Sequence, residues 1–126
     1  MAKLIRFDDA TPVARGAGIE SIPFSDPPLE GQGFTMGITS FPPGTSIPLH
    51  SHNTIEQVTL IEGEGVAELN GEQIRVKPYD TTQIAPGELH RFVNSGSKPM
   101  RILWVYGSTH VTRTFPDGRT VEQFDQ

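Results

Sequence analysis

An all-β fold follows from three observations on this sequence. Its 126 residues include 13 glycines and 11 prolines, hydrophobic residues make up 35%, and short β-favouring runs alternate with turn signals. Inside a helix Gly costs about 1 and Pro about 3 kcal/mol, so such a content is hard to place in a helical bundle. It also stops short of the roughly 25–30% Gly plus Pro that marks a disordered chain. Domains run to roughly 100–200 residues, so the chain makes one domain around one core.

The first third is the least regular. Asp8–Gly33 carries Pro12, Gly16, Gly18, Pro27, Pro28, Gly31 and Gly33, and reads as a surface arm with one short strand near Ile19–Phe24. From Phe34 the pattern becomes regular, with strands expected at Phe34–Phe41, Ile47–His52, Glu56–Glu62, Gly65–Asn70, Gln73–Lys77, Thr81–Ala85, His90–Asn94 and Met100–Tyr106. Pro42-Pro43-Gly44, Pro78-Tyr79-Asp80, Pro86-Gly87 and Ser95-Gly96-Ser97 punctuate them. A strand-plus-turn unit every roughly 8–12 residues is the rhythm of a sandwich or closed barrel. Asn70-Gly71 is the strongest hairpin signal, because both residues tolerate the positive φ of a type I′ turn. The domain therefore divides into an N-terminal arm and edge strand (1–33), a barrel (34–115) and a C-terminal tail (116–126).

Charge and composition exclude several function classes. Ten Lys and Arg against 15 Asp and Glu give a net charge of −5, which offers no phosphate-neutralising surface, so nucleic acid is not expected as a partner. The absence of cysteine removes disulfides, thiolate nucleophiles, iron–sulfur clusters and Cys-ligated zinc. No apolar run is long enough to span a membrane. Met1–Ala10 carries Asp8 and Asp9 and no apolar core of a secretory signal, so the expectation is a cytoplasmic protein.

The chemistry concentrates in three of the four histidines. His50 and His52 stand at i and i+2, which puts both imidazoles on one face of a strand. Glu56 follows four residues after His52 and shares its strand face with Val58 and Leu60, while His90 opens another strand beside Phe92 and Asn94. An isolated histidine in a β protein is ordinarily a surface or satisfied core residue. Three imidazoles and a carboxylate on inward faces of neighbouring strands are instead a first-row metal site.

The segment from Gly44 to Gly63 resembles the first motif of the cupin family throughout. Gly44, His50-Ser51-His52, Glu56 and Gly63 all fall in register. The second motif resembles Pro78–Asn94, where Gly87, His90 and Asn94 keep the family spacing. Two positions depart from it: Tyr79 stands where the motif has Gly, and Ala85 where it has Pro, with Pro86 displaced by one. Both are turn or strand-end positions. The resemblance covers about residues 34–106 and implies an antiparallel double-stranded β-helix, a jelly-roll barrel, with a metal held by His50, His52, Glu56 and His90. It also implies a homodimer, with an N-terminal strand exchanged in some members.

Three neutral imidazoles and one carboxylate around a divalent ion leave a net charge of +1 and, in octahedral geometry, two open positions. Such a centre polarises a carbonyl or enolate, or binds O₂ beside a chelating substrate. Mn, Fe, Ni, Co and Zn ions all suit these donors. Met100, Ile102, Trp104 and Tyr106 share one strand face and, with Phe34, Met36 and Ile38 of the 34–41 strand and Phe92, are expected to line an apolar pocket. Tyr106 is the candidate to orient or deprotonate a substrate, and Glu88 is the other acid–base candidate. Gln57 falls on the face opposite Glu56, Arg91 and Arg101 point away from the lumen, and His110 reads as a surface or dimer contact.

Three functions fit. One is a metalloenzyme acting on a small oxygenated organic molecule, by dioxygenation or by Lewis-acid isomerase or lyase chemistry. The second is a non-catalytic metal-dependent sensor or small-ligand carrier. The third, a metal-free sugar isomerase or epimerase, needs a His–Asp or His–Tyr base pair and is disfavoured by an intact ligand set.

Overall fold

The computed structural model describes residues 2–123, so Met1 and the last three residues of the expected tail lie outside the described residues. Among the described residues, a short 3₁₀ turn at Phe7–Asp9 precedes twelve strands: β1 (Val13–Gly16), β2 (Ile19–Pro23), β3 (Thr35–Phe41), β4 (Ser51–His52), β5 (Glu56–Glu62), β6 (Gly65–Leu69), β7 (Glu72–Val76), β8 (Thr81–Ile84), β9 (His90–Val93), β10 (Met100–Tyr106), β11 (Thr112–Thr114) and β12 (Thr120–Glu122). Among the described residues there is no helix long and apolar enough to cross a membrane.

Two layers face each other. The first is a six-stranded sheet in the order β1-β2-β3-β10-β5-β8, antiparallel throughout. The second is built from two three-stranded sheets, β12-β11-β4 and β7-β6-β9. Isolated pairings of Ser46 with Val93 and of His50 with His90 lay the chain before β4 alongside β9 and so join these sheets into one layer. Asn70 and Gly71 take φ of 50° and 86° in the turn between β6 and β7, the left-handed pair that the Asn-Gly signal requires.

The strands alternate in burial as half-buried strands must: β3 and β10 each bury every second residue over seven positions. Along β10 the buried face changes character. Met100 and Ile102 lie opposite Phe41 and Thr39 of β3, whereas Tyr106 lies between Thr35 of β3 and Glu56 of β5. Phe41, Leu60, Ala67, Met100 and Ile102 close off an apolar end, and the polar site occupies the other.

The expected pocket wall needs one correction. Phe92, Met100, Ile102 and Trp104 are buried in the core, but Met36 and Ile38 are not on their face. In the register of β3 against β10, Met36 stands opposite Val105 and Ile38 opposite Leu103, so these four share the outer face of the sheet. A strand has a period of two, so β3 sends its small and polar residues inward (Thr35, Gly37 and Thr39) and its apolar ones out. The cause is Trp104, whose indole fills the space above Gly37.

Three strands carry no strong sequence signal. β1, in the expected arm, pairs with β2 and so extends the six-stranded sheet. β12, in the expected tail, pairs with β11, which pairs in turn with β4. Their residues shape the site.

Candidate metal centre

His50 and His52 come from the β4 segment and His90 from the first position of β9, all in the second layer, while Glu56 and Tyr106 project from β5 and β10 in the first. All five are between 1% and 5% exposed. The three histidines each offer a ring nitrogen, and these atoms lie within 4.8 Å of one another. Glu56 approaches from the His52–His90 side, its Oε1 2.9 Å from His90 Nε2 and 3.5 Å from His52 Nε2.

The backbone fixes how each imidazole is presented. Nδ1 of His50 donates to the Pro48 carbonyl (2.7 Å), Nδ1 of His52 to Thr112 (3.0 Å) and Nδ1 of His90 to Glu88 (2.9 Å). A carbonyl only accepts, so each Nδ1 carries the hydrogen and each Nε2 of the neutral ring presents a lone pair. Buried imidazoles tied at one nitrogen in this way are oriented as metal ligands are. Glu56 Oε1 is buried and, among the described residues, accepts no hydrogen bond. A carboxylate oxygen facing imidazole lone pairs at 2.9 Å needs a proton or a cation between them. Three buried histidines with this carboxylate thus fit a divalent metal ion.

The electrostatics follow from burial and neighbours. Burial, reinforced by His90, His52 and Arg113, pushes His50 down to about 2. His52 is also lowered, chiefly by burial, with Glu56 opposing. Burial acts the same way on His90, but the adjacent Glu56 carboxylate outweighs it and raises His90. The Tyr106 phenol is pushed well above its ordinary value, first by burial and then by the charge of Glu56 and a hydrogen bond to it, so the phenol keeps its proton. Its oxygen accepts from Gln123 Nε2 at 3.2 Å and lies 3.4 Å from His52 Nε2.

Three residues of this surrounding were not singled out in the sequence: Arg15 of β1, Arg113 of β11 and Gln123 just after β12. Arg113 is the register partner of His52 and is 3% exposed. Arg15 donates through Nε to Ser21 Oγ at 3.1 Å, Ser21 bonds Thr39 at 2.9 Å, and Trp104 Nε1 donates to Thr39 at 2.8 Å. The only sequence signal for either arginine was alternation within a three- or four-residue strand, too short to read.

The other candidates lie elsewhere. Glu88 braces two turns, accepting from the Ala85 N–H at 2.7 Å and from the Asn70 side chain. Gln57 is exposed on the outer face and accepts from Gln83 at 3.1 Å. Arg91 pairs with Glu68, Arg101 with Glu62, and exposed His110 lies 3.0 Å from Glu122.

A two-layer antiparallel β fold with a buried three-histidine cluster at one end defines a class, and comparison with known proteins assigns the family. The cupin-domain family model matches residues 37–106, and the chain belongs to that family. It is 35% identical over 65 residues to the oxalate-binding protein of Thermotoga maritima, an alignment covering 51% of this chain and 54% of that protein. It is 31% identical over 70 residues to the tetracenomycin polyketide synthase protein TcmJ of Streptomyces glaucescens, covering 55% and 47%. The chain spans about half the length of the curated relatives it matches. Among solved structures, a predicted oxalate decarboxylase of Thermotoga maritima superposes with a TM-score of 0.73 at 25% identity, over 84% of this chain and 99% of that one.

Proposed function

We propose that this cupin holds one divalent first-row metal ion through His50, His52, His90 and Glu56 and acts there on a small oxygenated organic molecule. The observation that carries this reading is the arrangement of three imidazoles, each fixed by a backbone carbonyl at Nδ1, around a buried carboxylate oxygen that accepts no hydrogen bond. A bound ion supplies a Lewis acid that polarises an oxygen donor. The chain supplies the rest. The backbone carbonyls hold the imidazole tautomers, Tyr106 holds the Glu56 carboxylate while Gln123 orients the phenol, and the surrounding burial keeps water from the centre. Tyr106 is proposed as the residue that orients the substrate, as a protonated donor rather than as a base.

The test is metal content after reconstitution of untagged protein with Fe²⁺, Mn²⁺, Ni²⁺ or Zn²⁺, read by mass spectrometry. One equivalent is expected in the natural protein, with a fall of tenfold or more in His50→Ala, His90→Ala and Glu56→Gln. Unchanged content in the histidine variants refutes the site.

The name of one relative, an oxalate-binding protein, favours a second reading as a non-catalytic carrier or sensor with the same site. Turnover or oxygen uptake by the metal-loaded protein across diketones, catechols and hydroxy acids separates the two. A homodimer is supported by the apolar outer face of the six-stranded sheet, with Ile22, Met36, Ile38, Leu103 and Val105, and is checked by light scattering.

A further inference from the structure

The chain has three asparagines, and the fold treats each differently. Asn94 is fully buried, with its amide nitrogen donating to the Phe41 and Lys98 carbonyls and its oxygen accepting from the Gly96 N–H. Asn53 is exposed, but its amide is held at both ends: it donates to the His110 carbonyl at 3.0 Å and accepts from the Thr112 N–H at 2.8 Å. The residues that follow them, Ser95 and Thr54, carry side chains that crowd the next backbone nitrogen. Asn70 differs on each count. It is exposed in the β6–β7 turn, and Gly71 follows it. A Cβ built at Gly71 would meet nothing within 4 Å, so its backbone nitrogen is unshielded by its own residue and by neighbours on that side.

This juxtaposition has a chemistry of its own. The backbone nitrogen of Gly71 and the side-chain amide carbon of Asn70 close a five-membered ring. Attack of that nitrogen on Cγ forms the N–Cγ bond and breaks the Cγ–Nδ2 bond, and the Gly71 amide proton departs with the nitrogen as ammonia. Water then adds to one of the two carbonyls of the resulting succinimide and opens it. One direction gives aspartate, the other isoaspartate. Nothing is oxidised or reduced, and water is the co-reactant.

The surroundings of Asn70 tie this turn to the metal centre. Leu69, the residue before it, is the register partner of His90, and the Asn70 N–H donates to the Leu89 carbonyl at 2.9 Å. The Asn70 side chain donates to one carboxylate oxygen of Glu88, and the other oxygen accepts from the Ala85 N–H at 2.7 Å. The Glu88 backbone carbonyl accepts from His90 Nδ1 at 2.9 Å. Glu88 is thus a latch between the hairpin and the turn that presents His90. An aspartate at position 70 removes the donor of a charge-assisted hydrogen bond and sets two carboxylates against each other. An isoaspartate also adds a backbone atom to a turn whose left-handed pair, with φ of 50° and 86°, suits a two-residue loop.

We propose that Asn70 is a self-modification site, converted through a succinimide with Gly71 to aspartate and isoaspartate, and that the conversion opens the Glu88 latch and loosens the hold of His90 on the metal ion. The link to the ion rests on the metal-centre reading above, and the conversion itself does not.

The experiment holds the folded full chain in warm, mildly alkaline buffer and maps its peptides by mass spectrometry at intervals. The mass of acid for amide is read at each asparagine, and isoaspartate by its separate elution. Asn70 is expected to convert ahead of Asn53 and Asn94, to a mixture of the two acids. Conversion at Asn70 no faster than at Asn53 or Asn94 overturns the modification site. Zinc affinity, read by competition with a coloured chelator, is then compared in the natural protein, the aged protein, Asn70→Asp and Asn70→Gly. A Gly-Gly pair keeps the turn, so Asn70→Gly removes the bond to Glu88 without adding charge. Zinc is expected to bind several-fold more weakly to Asn70→Asp and to the aged protein, with Asn70→Gly between them and the natural protein. The aged protein keeps the test open if circular dichroism shows that Asn70→Asp does not fold. Unchanged zinc affinity after conversion overturns the latch. A natural protein that takes up no zinc refutes the metal-centre reading and the latch with it, while the peptide map decides the modification site by itself.

Discussion

Gly37→Ala tests how the inner wall beside the site is built. Gly37 stands opposite Trp104 on the inward face of β3, and the indole lies directly above it. A Cβ added at Gly37 meets the Ile22 carbonyl oxygen at 2.3 Å and the Trp104 ring atoms Cζ2 and Cη2 at 2.6 and 2.7 Å, where ordinary contact begins at 3.4 Å. The indole must therefore retreat by about 0.8 Å, which pulls Nε1 from its 2.8 Å hydrogen bond to Thr39. The carbonyl belongs to β2 and moves only by loosening its pairing with β3. Overpacking of this kind costs about 1–3 kcal/mol, and the lost hydrogen bond about 1 kcal/mol. Replacing glycine returns about 0.5–1 kcal/mol by restricting the unfolded chain. The net expectation is a loss of about 2–3 kcal/mol, or a melting point lower by roughly 8–12 °C for a domain of this size. Trp104 is the chain's only tryptophan, so its fluorescence follows the wall and circular dichroism follows the whole fold in the same melt. Gly33→Ala is the control, since a Cβ there meets nothing within 4 Å. A Gly37→Ala protein that melts within about 2 °C of the natural one refutes the account of why β3 turns its small residues inward.

Three further outcomes follow from the same geometry. Asn94, fully buried, donates to the Phe41 and Lys98 carbonyls and accepts from the Gly96 N–H, so Asn94→Ala is expected to cost about 2–3 kcal/mol in urea unfolding. A loss below about 0.5 kcal/mol contradicts that clamp. Tyr79 holds a φ of 76° with its side chain 79% exposed. The left-handed conformation costs a non-glycine residue about 1–2 kcal/mol, and glycine's extra freedom offsets part of the relief. Tyr79→Gly should thus raise the melting temperature by a few degrees, and a lowered one refutes the strain. Finally, His50 and His52 are both lowered by burial, His50 to about 2, so below their unfolded value near 6.5 the unfolded chain binds protons that the folded chain refuses. Each such group removes up to about 1.4 kcal/mol of stability per pH unit as pH falls below about 6, and the raised His90 returns part of that loss. Thermal melts of metal-free protein between pH 7 and pH 5 are expected to show this decline, and a flat profile contradicts the buried neutral rings.

The second layer of the site was legible because its chemistry is compact in sequence. His50, His52 and Glu56 lie within seven residues, and strand periodicity alone puts the two imidazoles on one face. The Asn70-Gly71 turn was readable for the same reason, since a two-residue loop fixes its own backbone. The phase of β3 was not. Its outward face carries Met36 and Ile38 and its inward face Thr35, Gly37 and Thr39, the reverse of what alternation of apolar and polar residues suggests. Hydropathy sees a single strand, whereas the phase is decided by Trp104, 67 positions away in the chain and opposite only after folding.

The same distance separates the parts of the site by function. The metal-holding groups come from the matched family segment at 37–106, where spacing is the signal. Arg15, Arg113 and Gln123 come from β1, β11 and the end of β12, all outside that segment and all in strands of three or four residues or just beyond one. Short strands carry too few residues to show a period, and a buried arginine has the appearance of a surface residue in any hydropathy profile. A site divided in this way lets the ends of the chain change while the metal ligands stay fixed. Substitution at His50 is accordingly expected to abolish metal uptake, whereas a change confined to β1, such as Arg15→Gln, is expected to leave it intact, and metal content read by mass spectrometry separates the two.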